Sequence, residues 1–133
     1  WSPDVGASMV WVGELWQRAL AAVGAGAGAA VHRGPLQATP WSRVVCWAGV
    51  GTGELLAAPA DGGRKVVGIS QRRTRHWVRF QSMCHLQWRP ERMAALVAVP
   101  AGGADVAAEL AGAAACAPAT EGALQAALVA ALP

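Results

Sequence analysis

The sequence predicts an α+β fold with a mainly antiparallel sheet flanked by helices. Near the start of the chain, apolar residues recur every three or four positions from Val5 to Val23, as on one face of a helix. Short apolar runs separated by turn residues then occupy the middle of the chain, as strands do. Ala-rich helical segments follow. Strands grouped together, rather than alternating with helices, favour an antiparallel sheet.

Local signals bound the predicted elements. Ser2-Pro3-Asp4 starts the first helix with a capping serine and a proline in the first turn. That helix is expected to end near Gly24, before a Gly/Ala-rich loop. The turn residues Asp61-Gly62-Gly63 predict a hairpin between their flanking strands. Four strands are predicted, at residues 44–48, 54–57, 65–74 and 77–88. Three helices are predicted after Pro90, at residues 91–99, 105–115 and 121–132, the last capped by Thr120.

Composition excludes several classes of protein. The apolar run after Glu121 has about a dozen residues, whereas a membrane span needs roughly 20. We therefore expect a soluble, cytoplasmic protein without membrane contacts. The cysteines are three in number and widely spaced, which argues against a disulfide framework and a zinc site. The histidines also lack metal-ligand spacing, so no metal site is predicted. The three cysteines are Cys46, Cys84 and Cys116, and the three histidines are His32, His76 and His85.

Positive charge is concentrated in one segment. Six of the eleven Lys and Arg residues lie between Arg64 and Arg79, and Lys65 is the single lysine of the chain. Such a cluster can hold a phosphate or attract an acidic partner, or it can be a solvated basic face. Aromatic residues are not interleaved as in an RNA-binding sheet, so we do not expect nucleic acid binding. A nucleic-acid binder that uses the cluster from Arg64 to Arg79 remains a third alternative.

The segment from Gly63 to Gln71, GRKVVGISQ, is the strongest candidate for chemistry. A turn delivers Lys65 to the start of a strand, where its charge can hold a phosphate or a developing oxyanion. Gly68 allows a ligand or another backbone to approach closely. Ser70 adds a small hydroxyl residue.

The run from Gly63 to Arg75, GRKVVGISQRRTR, resembles the lysine motif of lipoate-protein ligase A and the octanoyltransferases, which belong with the biotin ligases. Supporting similarity comes from residues 39–55 and 79–88 and from the closing helices. The resemblance implies a biotin/lipoate ligase-like fold whose N-terminal part is missing. Residues 1–100 would be the C-terminal part of the catalytic domain, and residues 101–133 an Ala-rich helical tail packed on it.

The resemblance also implies site residues. By position, Lys65 would contact the acyl carbonyl and the phosphate of an acyl-adenylate, in a site that includes Gly68 and Ser70. In one octanoyltransferase branch a loop cysteine carries the acyl group as a thioester, and Cys46 stands where that cysteine would be. A nearby cation would lower the pKa of such a thiol. The alternative is that Cys46 is a buried strand cysteine.

The implied activity is attachment of lipoate or octanoate to a lysine of the lipoyl domain of a 2-oxoacid dehydrogenase or of the glycine cleavage H protein. A ligase would use ATP with Mg²⁺, whereas a transferase would take octanoate from an acyl carrier protein.

The chain starts at Trp1 and lacks the family's Arg-Arg and Gly-rich segment, so we expect a fragment that is inactive alone. Ser42-Arg43 and Gln81-Ser82 also differ from the family pattern. These departures leave open a non-catalytic domain that binds a ligand or a lipoyl domain.

Overall fold

The computed structural model describes residues 2–58, 63–97 and 105–133. In these ranges the chain forms an antiparallel sheet in the order β1-β2-β3-β4, with helices against it. The α+β class predicted from the sequence is confirmed at this level. The elements are α1 (Val5–Ala22), β1 (Ala30–Val31), a 3-10 helix (Cys46–Ala48), β2 (Leu55–Leu56), β3 (Lys65–Arg73), β4 (Val78–Cys84), α2 (Pro90–Ala94), α3 (Val106–Leu110) and α4 (Glu121–Ala131).

Helix α1 covers one face of the sheet. Its cap is Asp4 rather than the predicted Ser2, since the Asp4 carboxylate accepts a hydrogen bond from the Ala7 N–H at 2.8 Å. The apolar stripe of α1 packs on β2, β3 and α4 and forms the main core with them. The fully or nearly fully buried members of that core include Val12, Trp16, Leu20, Leu55, Val67, Ile69 and Leu124.

The β3–β4 hairpin is the longest part of the sheet. Its register runs from Val67 opposite Cys84 to Arg73 opposite Val78. Both predicted strands are confirmed, although β4 ends at Cys84 rather than near Trp88. At the other end of β3, Gly63 has a φ of 60°, which glycine adopts without strain, and it leads into the strand. Asp61 and Gly62 of the predicted turn lie outside the described residues.

The strand predicted at residues 44–48 is wrong. The Trp41 carbonyl accepts hydrogen bonds from the Val44 and Val45 N–H groups, and residues 46–48 form a 3-10 helix. These local turns use the backbone groups that a strand would offer to a neighbour. The run is apolar because Val45 and Trp47 are buried in a second, smaller core. The first strand of the sheet is instead the short β1, which pairs with β2.

The C-terminal third also differs from its predicted bounds. Helix α3 is shorter than the predicted 105–115, because after Leu110 the chain turns and the Ala115 N–H donates to the Lys65 carbonyl at 2.8 Å. Helix α4 packs on α1, as its buried Leu124 shows. Helix α2 ends at Ala94, short of the predicted 91–99, and residues 95–97 form turns. The predicted boundary at residue 100 lies outside the described residues.

Within the described ranges, none of the helices combines the length and apolar character needed to cross a membrane.

Candidate functional site

A cleft of about 400 Å³ opens between the 3-10 helix and the β3–β4 hairpin. The four site residues predicted from the sequence, Cys46, Lys65, Gly68 and Ser70, all line it. They come from two segments separated along the chain, so the fold brings them together. The other lining residues are Trp47, Glu54, Ile69, Gln81, Ser82 and Met83.

Lys65 lies at the base of this cleft and is 2% exposed. Its Nζ is 2.8 Å from Glu54 Oε2 and donates a hydrogen bond to the Cys46 carbonyl oxygen at 2.9 Å. It also stands 5.3 Å from the centroid of the Trp47 ring, within reach of a cation–π interaction. An ammonium has three N–H donors, and these contacts occupy two of them. One N–H of Lys65 therefore has no acceptor among the described residues.

Glu54 is the site residue that the sequence analysis missed. Its carboxylate pairs with Lys65 and also accepts hydrogen bonds from the N–H groups of Gly51, at 2.7 Å, and Ile69, at 3.2 Å. A buried carboxylate needs both an ion-pair partner and hydrogen-bond donors of this kind to offset its loss of water. The sequence did hold a signal for this pair. An acidic residue, Glu54, directly precedes β2, and the single lysine, Lys65, begins β3, which pairs with β2.

Two glycines hold the loop that carries Glu54 against helix α1. Gly53 has a φ of 90°, and a Cβ there would clash with the Met9 carbonyl. A Cβ on Gly13 of α1 would clash with the Gly53 carbonyl oxygen. The two backbones can approach this closely only because neither residue has a side chain.

Cys46 is exposed on the rim of the cleft, so its interpretation as a buried strand cysteine is wrong. Its backbone carbonyl accepts the hydrogen bond from Lys65. Cys116 is exposed as well. Cys84 is half-buried, and burial raises the pKa of its thiol to about 11.

Gly68 and Ser70 lie opposite Met83 and Gln81 of β4. A Cβ on Gly68 would lie 3.5 Å from both Glu54 Oε1 and the Trp47 ring, so any larger side chain would enter the site. Ser70 and Gln81 are exposed and present polar groups toward the outer end of the cleft. The cleft thus has an apolar wall formed by Trp47 and Met83, and a polar outer end.

His85 lies behind the cleft, between the rings of Trp47 and Trp88, with centroid distances of 4.3 and 4.8 Å. Burial lowers its pKa, so the ring is neutral near pH 7. The ring is packed, and its buried Nε2 has no hydrogen-bond partner among the described residues. Of the other histidines, His32 contacts the Pro35 carbonyl at 2.9 Å and His76 is exposed.

The described residues of the cleft do not fit a site for Mg²⁺ with ATP. The one carboxylate among them is Glu54, and its two oxygens already accept from Lys65, Gly51 and Ile69. Magnesium sites of phosphate-transfer enzymes usually offer one or two carboxylates to the ion. In the described ranges, no three His, Cys, Asp or Glu side chains are grouped so as to hold a metal.

No protein-family model matches this chain, and neither a curated protein nor a solved structure shows significant similarity to it.

Proposed function

We propose that this chain is part of an acyl-transferring catalytic domain of the lipoate-protein ligase and octanoyltransferase kind, with the corresponding biotin/lipoate ligase-like fold. The cleft would bind the octanoyl or lipoyl group that is delivered to a lipoyl-domain lysine. The observation that carries the proposal is the hydrogen bond from Lys65 Nζ to the Cys46 carbonyl. It brings the lysine of the family's motif against the backbone of the residue that stands where the thioester cysteine would be.

The geometry favours the transferase version over the ligase version. The Cys46 thiolate would attack the carbonyl of an octanoyl thioester, and the carrier's thiolate would leave as the new thioester forms. The amine of the lipoyl-domain lysine would then attack that thioester, release the Cys46 thiolate and lose a proton to water. The remaining N–H of Lys65 would polarise the thioester carbonyl.

The cleft also suits the acyl chain. A volume of about 400 Å³ lies within the range of small-molecule sites, and Trp47 and Met83 give it an apolar wall. A thioester transferase needs an accessible thiol, a fixed cation and an apolar pocket for the acyl chain. The proposed site offers all three at the cleft.

A non-catalytic ligand-binding domain is the second candidate. The observation that favours it is the ion pair of Lys65 with Glu54, together with the 2% exposure of the lysine. A cation so completely buried and neutralised also fits a structural role beneath a binding cleft.

The test uses the natural full-length protein and an added apo-lipoyl domain, whose modification is followed by mass spectrometry. One reaction contains octanoyl-carrier protein without ATP, and the other contains lipoate with ATP and Mg²⁺. The transferase is supported if the first reaction transfers octanoate and Cys46→Ala abolishes that transfer. Cys116→Ala is the matched control, because it removes another exposed cysteine, and it should retain the transfer.

Other outcomes separate the alternatives. ATP-dependent lipoylation that survives Cys46→Ala but not Lys65→Met, in a variant shown to be folded, would identify a ligase. Absence of modification in both reactions, with octanoate still bound, would replace the proposal with the ligand-binding candidate.

A further inference from the structure

The cleft continues along the open face of the sheet to a group of arginines. The pairs opposite one another across β3 and β4 are Gly68 with Met83, Ser70 with Gln81, and Arg72 with Arg79. Because side chains alternate between faces, these three pairs share the face that helix α1 does not cover. The arginine pair lies two residues beyond the polar end of the cleft, or about 7 Å.

The charges of this group are not offset within the described part of the chain. Arg72 and Arg79 stand directly opposite each other, and both are exposed, as is Arg75 in the adjoining turn. The ion pairs found in the described ranges join Arg33 to Glu14 and Lys65 to Glu54, so neither includes these arginines. Like charges directly opposite each other destabilise a sheet. An anionic partner that neutralised them would remove this cost.

The surroundings favour a protein rather than a nucleic acid as that partner. Strand β4 lies at an edge of the sheet, and no backbone hydrogen bond from another described element reaches residues 78–83 on its outer side. Trp77 and Met83, 45% and 46% exposed, flank the arginines with apolar surface. Arg, Trp and Met are enriched in protein interfaces. The stacking platform of several aromatic rings that single-stranded nucleic acids use is absent from the six paired positions of this face.

We infer that Arg72, Arg75 and Arg79 form the docking site for the acidic surface of the acyl carrier protein that brings the acyl group to the cleft. This inference rests on the proposed function, because it names the protein that supplies its thioester. Docking beside the outer end of the cleft would let the carrier's acyl chain enter past Ser70 and Gln81. Charge complementarity would act mainly on the rate and strength of encounter.

The experiment measures binding and transfer separately. Full-length protein is titrated into fluorescently labelled octanoyl-carrier protein, with Arg72→Glu/Arg79→Glu as the test variant. Arg89→Glu/Arg92→Glu is the control, because it changes two exposed arginines and the net charge equally. We expect the test variant to weaken binding by at least about tenfold and the control by less than about twofold, with the difference shrinking as salt is added.

A neutral donor distinguishes failure of docking from failure of the proposed function. With the octanoyl thioester of N-acetylcysteamine, acylation of the protein should proceed equally in the test variant and the parent. Carrier binding that depends on the arginines, without acylation from either donor, would uphold the docking site and reject the proposed function.

Three outcomes would overturn the docking site. One is equal weakening of carrier binding in the test and control variants, and another is unchanged binding in both. The third is binding of poly(U) at the same salt concentration that is tighter than carrier binding and is lost in the test variant. That result would assign the arginines to nucleic acid.

Discussion

Lys65 and Glu54 carry opposite charges into a part of the protein that water hardly reaches. Removing two ions from water is costly, and the cost is recovered only when each finds its partner and its remaining hydrogen bonds. Glu54 has those bonds from Gly51 and Ile69, and Lys65 has one to Cys46. The same pair therefore stabilises the hairpin and fixes the cation at the base of the cleft.

Breaking this pair from one side should be much more damaging than removing both charges. Lys65→Met leaves the Glu54 carboxylate buried without its cation, and we expect a loss of about 3–5 kcal/mol in the free energy of unfolding. Lys65→Met/Glu54→Leu should lose less than Lys65→Met alone, although the Gly51 and Ile69 N–H groups then lack an acceptor. Urea denaturation of both variants measures this, and a double variant less stable than the single one would contradict the coupling.

The three cysteines should react with thiol reagents at different rates. Burial raises the pKa of Cys84 from 9.0 to about 11, so below pH 9 its thiolate is about a hundredfold scarcer than that of an ordinary thiol. At about pH 8, Cys46 and Cys116 should therefore react with iodoacetamide first, because both are exposed and the thiolate is the reactive form. Labelling of Cys84 should increase steeply as the pH approaches 11. Peptide mapping against time would show the order, and equal rates for Cys84 and Cys116 would refute it.

At the residue scale, the sequence indicated half of the buried pair. Lys65 could be chosen because it is the single lysine and begins a strand after a turn. Its partner could not, because the bulge between Leu55 and Leu56 shifts the register of β2 against β3. An irregular register leaves no sequence rule for which side chains meet. The exposure of Cys46 was equally hidden, since it depends on the 3-10 helix.

Among the elements, the contact between α1 and the loop before β2 positions the site. Gly13→Ala should push α1 away from Gly53 and so displace Glu54, with a loss of about 1–3 kcal/mol or more in stability. Gly122→Ala is the matched control, because its Cβ meets nothing within 4 Å and alanine favours a helix by up to about 1 kcal/mol. Thermal melts of the two variants should shift in opposite directions. A Gly13→Ala protein as stable as the parent would disprove the close contact.

Whether a helix or strand could be predicted from the sequence depended on the kind of signal that its residues carry. Helix α1 and the long strands β3 and β4 were found because residue patterns over many positions report backbone conformation directly, and the turn residues at 61–63 predicted the pairing of β2 with β3. The run at residues 44–48 misled because apolar character reports burial alone, and a 3-10 helix can bury Val45 and Trp47 as well as a strand can. The two-residue strand β1 is too short to show any period.

For the molecule as a whole, the α+β class followed from the order of the elements, but the cleft did not. Its walls come from the 3-10 helix, from the loop before β2 and from the hairpin, and their approach depends on packing that no local pattern encodes. The motif from Gly63 to Gln71 named Lys65, Gly68 and Ser70 because they share one strand. Placing Cys46 beside them required the tertiary structure.

The central claim is that Cys46, held by Lys65 at this cleft, accepts an acyl group. The most direct measurement is the intact mass of the natural full-length protein after incubation with octanoyl-carrier protein. We predict a gain in mass of one octanoyl group, which neutral hydroxylamine should remove because it cleaves thioesters. The gain should be lost in Cys46→Ala and should persist in Cys116→Ala. The claim is contradicted if the folded protein gains no octanoyl group, or if Cys46→Ala gains as much as the parent.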